Sequence, residues 1–266
     1  LLEHVKAVGG DDVRLSNAIK RDFPLAIECS LGLLLEDGSI RRTQAEDVAY
    51  YSVAERAVLA LDTYKNNIIH FLVSEAIVAT AFESLCETPD IPVDKQTLSN
   101  TCRDLSRIFK LEFIYPPGVP FERLFERALE RACALGMVRV SGDHVFAATG
   151  EEEKIVRRFA CNIIGNFVEA YLVCVQKIGA LSERPESRKA LGNRVMEALR
   201  AGILAGDLVC PEAASKALID NAMQSFEEQR FLTSKAGKLC LVDDTAERLA
   251  GTIDLLQRCR RGLGRA

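Results

Sequence analysis

Apolar residues recur along most of the chain at the three- and four-residue spacing of amphipathic helices. From Asp94 onward, one such stripe predicts a helix that the segment Tyr115 to Gly118, with its two prolines, brings to an end. A second stripe begins after Pro120, which suits the first turn of a helix, and Gly136 follows it as a candidate left-handed cap. The stripes comprise Leu98, Cys102, Leu105 and Phe109, then Phe121, Leu124, Phe125, Ala128, Leu129 and Ala132.

Two longer apolar stretches predict longer helices. Residues Glu55 to Glu87 predict one helix, kinked or split near Asn66-Asn67. Farther along, Thr149 and Glu152 have the spacing of a capping box and predict the start of a helix with one buried face. That face consists of Ile155, Phe159, Ile163, Phe167, Tyr171 and Val175.

Short alternating segments between the helices predict β-hairpins, and the order helix, hairpin, helix recurs. This order is also typical of winged-helix modules. The sequence therefore predicts a mainly α fold, a helical bundle with short winged-helix-like hairpins between helices. The paired segments are 137–140 with 145–148, 231–234 with 238–242, and, with a longer turn, 39–42 with 48–53.

The composition is that of a folded protein. Of 266 residues, 48% are hydrophobic and 27% are charged, and the net charge is −4. This profile excludes wholesale disorder and argues against a protein whose main task is to neutralise phosphate backbones. No run of 18 apolar residues occurs, so a membrane-spanning helix is not predicted. The nine cysteines include no Cys-x-x-Cys pair and are expected to be reduced thiols.

The length allows one large domain or two smaller ones. The segment Gly179 to Arg188 is polar and contains Pro185, so we predict that it is a linker. Residues 1–182 then form a helical region with one or two hairpins, and residues 183–266 a smaller helix–hairpin–helix subdomain. The first residue is Leu1 rather than Met, and we expect the chain to be a piece of a longer polypeptide.

A polar stripe interrupts the apolar stretch from Glu55 to Glu87. Its members recur at every fourth position and are Asp62, Asn66, His70 and Ser74. On one helix they would share a slowly drifting face. If that face is buried, its polar groups need partners, because an unpaired one costs about 1–3 kcal/mol. The stripe either holds neighbouring helices in register or faces a catalytic partner domain or a polar ligand.

A second segment, Arg103 to Pro116, combines charged and aromatic residues. Its aromatic stripe is more typical of a core than of a ligand site. Lys110 and Glu112, which lie beside that stripe, are typical of an exposed pair worth less than about 1 kcal/mol.

These two segments together resemble the C-terminal region of the glycerol-3-phosphate acyltransferases, a family that includes the dihydroxyacetone-phosphate acyltransferases. In that family a Tyr-x-x-Asn segment runs into an Ile-His-Phe-Phe-Val-like helix, and a Leu-Phe-Lys-Phe-Glu-Phe-Tyr-Pro-like segment follows. Here residues 64–73 read Tyr-Lys-Asn-Asn-Ile-Ile-His-Phe-Leu-Val, and residues 108–116 read Ile-Phe-Lys-Leu-Glu-Phe-Ile-Tyr-Pro. The resemblance covers roughly residues 31–181 and is nearest to bacterial members. It makes five residues candidates for structural or domain-interface contacts: Tyr64, Asn66, His70, Lys110 and Glu112.

The resemblance implies acyl transfer, yet the family's catalytic motif does not occur in this chain. In that motif, His-x-x-x-x-Asp, the histidine acts as base on the acceptor hydroxyl and the aspartate orients it. The residues five positions after His4, His70 and His144 are Gly9, Glu75 and Thr149. We therefore expect no catalytic, cofactor-binding or metal-binding residue here, and a catalytic domain upstream of Leu1.

By this resemblance the chain is expected to be the C-terminal scaffold region of a glycerol-3-phosphate 1-O-acyltransferase in phospholipid biosynthesis. Such an enzyme moves an acyl group from acyl-CoA or acyl-carrier protein to glycerol-3-phosphate. The implied partners are the upstream catalytic domain, the acyl donor through that domain, and the cytoplasmic side of the cell membrane by peripheral contact. Basic residues near the C-terminus suit such contact, namely Arg258, Arg260, Arg261 and Arg265.

The alternative is a non-catalytic helical interaction module with winged-helix-like hairpins. A module that binds DNA needs clustered Arg and Lys on its recognition helix. The helix before the clearest hairpin instead alternates acidic and basic residues from Glu122 to Arg131, so its face neutralises itself. We therefore expect no nucleic-acid partner.

Overall fold

The computed structural model describes residues 16–45, 48–58, 60–61, 64, 68–86, 88, 91–115, 118–182 and 185–263. Within these ranges ten α-helices alternate with three small antiparallel sheets, which confirms a mainly α fold with short hairpins. The helices are α1 (Asn17–Arg21), α2 (Phe23–Glu36), α3 (Val73–Leu85), α4 (Lys95–Ile108), α5 (Phe121–Ala134), α6 (Glu151–Ile163), α7 (Gly165–Gly179), α8 (Arg188–Ala205), α9 (Lys216–Glu228) and α10 (Ala246–Arg261). The strands are β1 (Ile40–Ala45), β2 (Val48–Val53), β3 (Val93–Asp94), β4 (Val138–Ser141), β5 (His144–Ala147), β6 (Leu232–Lys235) and β7 (Lys238–Leu241). All three predicted hairpins are confirmed.

By its contacts the chain forms two compact units, Leu1–Phe71 and Leu72–Ala266. In the first unit, α2 begins at an N-cap, Asp22, whose carboxylate accepts a hydrogen bond of 3.0 Å from the Leu25 amide. The antiparallel hairpin β1–β2 follows, with Ile40 opposite Val53. α2 is strongly apolar, yet none of its side chains is buried.

The second unit starts with an element order typical of a winged helix: α3, β3, α4, α5 and the hairpin β4–β5. β5 is the central strand of the sheet, with β3 on one side and β4 on the other. Val145 of β5 lies opposite Val93 of β3 and Val140 of β4. α6 follows the hairpin and packs, like α4 and α5, against α3.

The same order then occurs a second time. α7 is followed by Glu186, by α8 and α9, by the hairpin β6–β7, and by α10. Glu186 forms a single antiparallel bridge with Leu239 of β7 and so takes the place that β3 has in the first copy. We call residues 73–163 the first copy and residues 165–261 the second copy.

Local sequence supports the repeat. Pro92 and Pro185 are 93 residues apart, and each comes two residues before an N-cap residue whose side chain accepts a backbone amide. The helices α5 and α9 also end alike. A residue with positive φ follows each of them, Gly136 at 73° and Arg230 at 59°. One residue later, the Met137 amide donates to the Ala132 carbonyl, as Phe231 does to Phe226, which is the Schellman pattern.

The single long helix predicted through Ile155 and Tyr171 is wrong, because the chain breaks at Ile164 between α6 and α7. The Ile164 amide donates to the Cys161 carbonyl, a three-residue step that ends the helical pattern. Gly165 begins α7 where Cys210 and Leu263 approach closely, since a Cβ there would lie 3.0 Å from Cys210 Sγ. The bend is 51°. The predicted buried face is therefore divided between α6 and α7. Its first two residues, Ile155 and Phe159 on α6, are 66% and 62% exposed.

The stretch from Glu55 to Glu87 is interrupted, as the predicted kink or split allows: a 3₁₀ turn at Ile69–Phe71 precedes α3, while Asn66 and Asn67 lie outside the described residues. The capping box predicted at the start of α6 is wrong. Gly150 rather than Thr149 is the N-cap of α6. The Glu153 carboxylate lies over this glycine, where a Cβ would come within 1.9 Å of it.

α7 is the central helix of the second unit and packs against α8, α9 and α10. Twelve of its fifteen residues are buried. Among the described residues, no single helix has the length and apolarity to cross a membrane, whereas the bent pair of α6 and α7 meets that test only when taken together. The division predicted between residues 182 and 183 stays a prediction.

Candidate functional site

The predicted site residues belong to both units. Tyr64 is 69% exposed, and His70 is half-buried in the 3₁₀ turn Ile69–Phe71. Asn66 lies outside the described residues. Lys110 and Glu112 lie in the second unit, directly after α4. The predicted role of these five residues at an interface stays a prediction.

Lys110 and Glu112 have different partners, so their interpretation as one exposed pair is wrong. Lys110 forms an ion pair with Glu228 of α9. Glu112 points inward, where its carboxylate accepts a hydrogen bond of 2.6 Å from the Tyr171 hydroxyl and one of 3.2 Å from Asn221. Burial raises the pKa of Glu112, and these two hydrogen bonds act in the opposite direction.

The segment around Glu112 joins the two copies of the fold. Ser225 of α9 donates a buried hydrogen bond of 2.7 Å to the Ile108 carbonyl at the end of α4. Aromatic rings from both copies pack edge to face around Glu112, with Phe109 and Tyr171 5.1 Å apart between centroids. The rings belong to Phe109, Phe113, Phe167, Tyr171, Phe226 and Phe231, and we call this set the aromatic seam.

Two ion pairs, each with one buried member, hold α3 against its neighbours. Glu75, which is 2% exposed, pairs with Arg131 of α5. Glu83 pairs with Arg157 of α6, and Arg157 also donates to the Met137 carbonyl at 2.9 Å. Breaking such a pair leaves an uncompensated charge and costs about 3–5 kcal/mol. Sequence analysis did not identify these pairs, although an acidic residue inside an apolar stretch, as at Glu75, is the signal that points to a buried partner.

Glu169, like Glu75, is a buried carboxylate, and it closes the loop after α8. It accepts hydrogen bonds of 2.9 Å from the backbone amides of Val209 and Cys210. Burial raises its pKa, and the two amides oppose that shift. Its contacts are those of a structural residue, because two backbone amides already occupy its oxygens.

A cavity with mainly apolar walls lies between α3, α4 and α5 in the second unit, and we call it the α3–α5 cavity. Its volume is about 380 Å³, and it is partly open to solvent. This volume falls in the range of about 300–1,000 Å³ that is typical of small-ligand pockets. Its lining consists of Ser74, Ile77, Val78, Cys102, Arg103, Ser106, Arg107, Lys110, Tyr115, Val119, Phe121, Leu124, Phe125 and Ala128.

Every charged residue in that lining is a cation. Arg103, Arg107 and Lys110 are four and three residues apart, which places them on one face of α4 and its extension. Arg103 pairs with Glu122 at 2.8 Å and lies 4.7 Å from the Phe121 ring centroid. This spacing is visible in the sequence and was the signal that sequence analysis missed.

Three hydroxyl groups belong to the lining, those of Ser74, Ser106 and Tyr115. Ser106 donates to the Cys102 carbonyl at 2.8 Å. Tyr115 lies next to Ser106, and burial raises the pKa of its hydroxyl to about 12, so this phenol stays protonated at neutral pH. No histidine belongs to this lining.

Comparison with known families finds a match to this chain. The model of the family described as "Glycerol-3-phosphate acyltransferase C-terminal region" matches residues 2–235. A search of curated proteins finds no match to the chain.

Proposed function

Since the chain belongs to the glycerol-3-phosphate acyltransferase C-terminal region family, we propose that it is the scaffold region of a glycerol-3-phosphate 1-O-acyltransferase. The whole enzyme transfers an acyl group from acyl-CoA or acyl-carrier protein to glycerol-3-phosphate in phospholipid biosynthesis. The match over residues 2–235 is the observation that carries the proposal.

In this proposal the chemistry belongs to a catalytic domain of the same polypeptide, upstream of Leu1. The support is chemical. Acyl transfer needs a base, and neither the cavity nor the aromatic seam contains a histidine. The second unit instead has features of a rigid support, with charged pairs buried between helices and a core shared by two copies of one fold.

Exposed apolar residues on α6 are the proposed contact with that catalytic domain. Ile155 and Phe159 lie one helical turn apart and are 66% and 62% exposed. Adjacent exposed apolar side chains of this size are a feature of interaction surfaces. The proposed peripheral contact with the cytoplasmic side of the membrane involves the basic end of α10.

The first experiment reconstitutes the enzyme from two parts. The chain alone, incubated with acyl-CoA and glycerol-3-phosphate, should give no lysophosphatidate above background. The segment encoded upstream of Leu1, expressed together with the chain, should give product, and the upstream segment alone should give much less. Product formation by the isolated chain would overturn the proposal, and so would full activity of the upstream segment without it.

Substitutions on α6 then test the contact. Ile155→Lys with Phe159→Lys should weaken reconstitution, because two charges replace the apolar contact. Leu204→Lys is the matched control, since Leu204 is 90% exposed on α8. All variants should keep the thermal stability of the parent chain. Equal losses from the α6 pair and from Leu204→Lys would reject this surface.

The winged-helix order of both copies supports the alternative, a non-catalytic interaction module. The charges on α5 are engaged within the fold, where Glu122 and Glu126 pair with Arg103 and Lys95. The equivalent helix α9 carries Lys216 but three acidic residues: Asp220, Glu227 and Glu228. These charges disfavour a nucleic-acid partner. Saturable binding of the chain to duplex DNA at physiological salt would favour the alternative.

A further inference from the structure

We propose that the α3–α5 cavity binds a single-chain amphiphile with an anionic headgroup. The hydrocarbon chain of this ligand lies inside the cavity, and its headgroup lies at Arg103, Arg107 and Lys110. The inference rests on the cavity of this chain and holds whether or not the proposed enzyme assembly is correct.

The apolar lining of the cavity favours a ligand with a hydrocarbon chain. Apolar side chains from α3, α4 and α5 cover the walls, among them Ile77, Val78, Leu124 and Phe125. An apolar cavity binds apolar ligands rather than water, because water inside it finds no hydrogen-bond partners. The volume of about 380 Å³ is that of one narrow ligand, which favours a single chain over a two-chain lipid.

The three cations Arg103, Arg107 and Lys110, which we call the rim, favour a ligand with an anionic headgroup. Three cations from one helix face stand at the cavity, and no acidic residue belongs to its lining. Arginine binds carboxylate and phosphate through two parallel hydrogen bonds, so this rim complements either group.

The present partners of the three cations can be exchanged for a ligand. Arg107 is itself 68% exposed, and its nearest carboxylate oxygen, on Asp104, is 3.8 Å away. Lys110 pairs with Glu228 and Arg103 with Glu122, and both of these glutamates are partly exposed. Exposed ion pairs contribute little to stability, so an anionic headgroup replaces such a partner at little cost.

Tyr115 supplies a neutral hydrogen-bond donor in the lining, whereas the single hydroxyl proton of Ser106 is already donated to the Cys102 carbonyl. The Tyr115 hydroxyl suits the ester or carboxyl oxygens that join an acyl chain to its headgroup. The amphiphile class therefore includes fatty acids, with a carboxylate, and lysophosphatidates, with a phosphate.

The chain contains no tryptophan, which makes the test direct. In Val119→Trp a lone indole stands at the cavity and reports binding by a shift of its emission to shorter wavelength. The probes are dodecanoate and dodecanoyl lysophosphatidate, used below their micelle concentrations, with dodecanol and glycerol-3-phosphate for comparison. We expect saturable shifts with the two anionic amphiphiles, binding of dodecanol at least fivefold weaker, and no shift with glycerol-3-phosphate. Preference between the two anionic probes identifies carboxylate or phosphate as the headgroup.

Variants in the Val119→Trp background locate the site. Arg107→Gln should weaken binding by about two- to fivefold, the factor expected for one exposed ion pair. Arg200→Gln, with the same change of charge on α8 outside the lining, should leave it unchanged. Ser74→Phe should reduce binding by filling the cavity, and Arg107→Gln decides the question if Ser74→Phe does not fold.

Four results would overturn the proposal. They are the absence of a saturable shift, equal affinity for dodecanol and dodecanoate, equal losses from Arg107→Gln and Arg200→Gln, and the same shift from a tryptophan placed at exposed Val140 on β4. The last result would mean adsorption to the surface rather than entry into the cavity.

Discussion

At the scale of single residues, Glu112 in the aromatic seam makes the free energy of unfolding depend on pH. Its pKa is raised above the ordinary value of 4.5 because burial disfavours the charged form. Between the ordinary and the raised pKa, the folded state holds more protons than the unfolded state. The contribution of Glu112 to the free energy of unfolding is therefore greatest at low pH and declines as the pH rises through the raised pKa.

Replacement of Glu112 by glutamine removes this decline. Glutamine keeps a carbonyl that accepts the Tyr171 hydroxyl, yet it carries no charge to bury. We expect the free energy of unfolding of Glu112→Gln, relative to the parent chain, to be more favourable at about pH 7.5 than at about pH 4.5. Urea denaturation at a series of pH values measures this difference.

Glu228 is the control, because its shift has the opposite sign. Hydrogen bonds from Lys110 and Gln224 lower its pKa. Glu228→Gln should therefore lose stability relative to the parent chain at neutral pH and lose less in acid. The same pH trend for both variants would show that the assigned environment of Glu112 is incorrect.

The sequence identified Lys110 and Glu112 as residues of interest but not their directions. Their alternation with apolar residues is as typical of an exposed pair as of one inward and one outward side chain. The difference depends on Tyr171 and Asn221, which are 59 and 109 residues away from Glu112. Contacts at such separations leave no periodic signal in a local segment.

At the scale of elements, α8 carries two glycines with opposite expected behaviour. A Cβ at Gly192 would lie 3.6 Å from the nearest atom of Met223, which is ordinary contact. A Cβ at Gly202 would lie 2.9 Å from Cγ of Leu208, a residue only 6% exposed. Alanine stabilises a helix by about 1 kcal/mol relative to glycine, whereas overpacking costs about 1–3 kcal/mol.

Gly192→Ala should therefore raise the free energy of unfolding by about 0.5–1 kcal/mol. Gly202→Ala should lower it, because the clash with Leu208 exceeds the gain in helix propensity. Chemical denaturation of the two variants gives the comparison within one helix. Stabilisation by both substitutions would mean that Leu208 moves away without cost.

Elements with one strong stripe were predictable, and elements bounded by tertiary contacts were not. α5 has the predicted bounds and buries Phe125, Ala128 and Leu129 as its spacing indicated. α6 and α7 share one continuous stripe in the sequence, and the bend between them lies beside Gly165, against which Cys210 and Leu263 pack closely. Neither of these two partners is near Gly165 in sequence, so the stripe alone could not reveal the bend.

At the scale of the whole molecule, a net charge of −4 opposes general attraction to anionic membranes. The proposed contact therefore depends on a local basic group. Arg258 is already engaged, since it pairs with Asp254 at 3.0 Å. Arg260 and Arg261 are exposed, and Arg265 lies outside the described residues. Each basic residue near an anionic surface contributes about 1 kcal/mol, so the expected binding is weak.

Co-sedimentation with vesicles tests this contact. The chain should bind weakly to vesicles rich in phosphatidylserine, and added salt should release it from them. It should not sediment with neutral vesicles. Arg260→Ser with Arg261→Ser should reduce binding more than Arg200→Ser, which changes an exposed arginine on α8. Tight binding to neutral vesicles at high salt would indicate an apolar inserting surface instead.

The recurrence of helix, hairpin and helix was predictable, but the full length of the repeat was not. β3 has only two residues, and the second copy replaces it by one bridging residue, Glu186. The residue with positive φ after α5 is a glycine, whereas after α9 it is Arg230. The positive φ after the helix is thus kept in both copies, although the glycine that usually marks it is present only after α5.

Two copies of one topology in a single chain are the product expected from duplication of a coding segment. Leu98 and Cys102 in α4 correspond, 93 residues later, to Leu191 and Val195 in α8. The next position is Arg103 at the cavity in the first copy and Met196 in the second. After a duplication, selection acts on each copy separately. The proposed binding cavity belongs to the first copy, so its residues can differ from those at the equivalent positions of the second copy, as Arg103 and Met196 do.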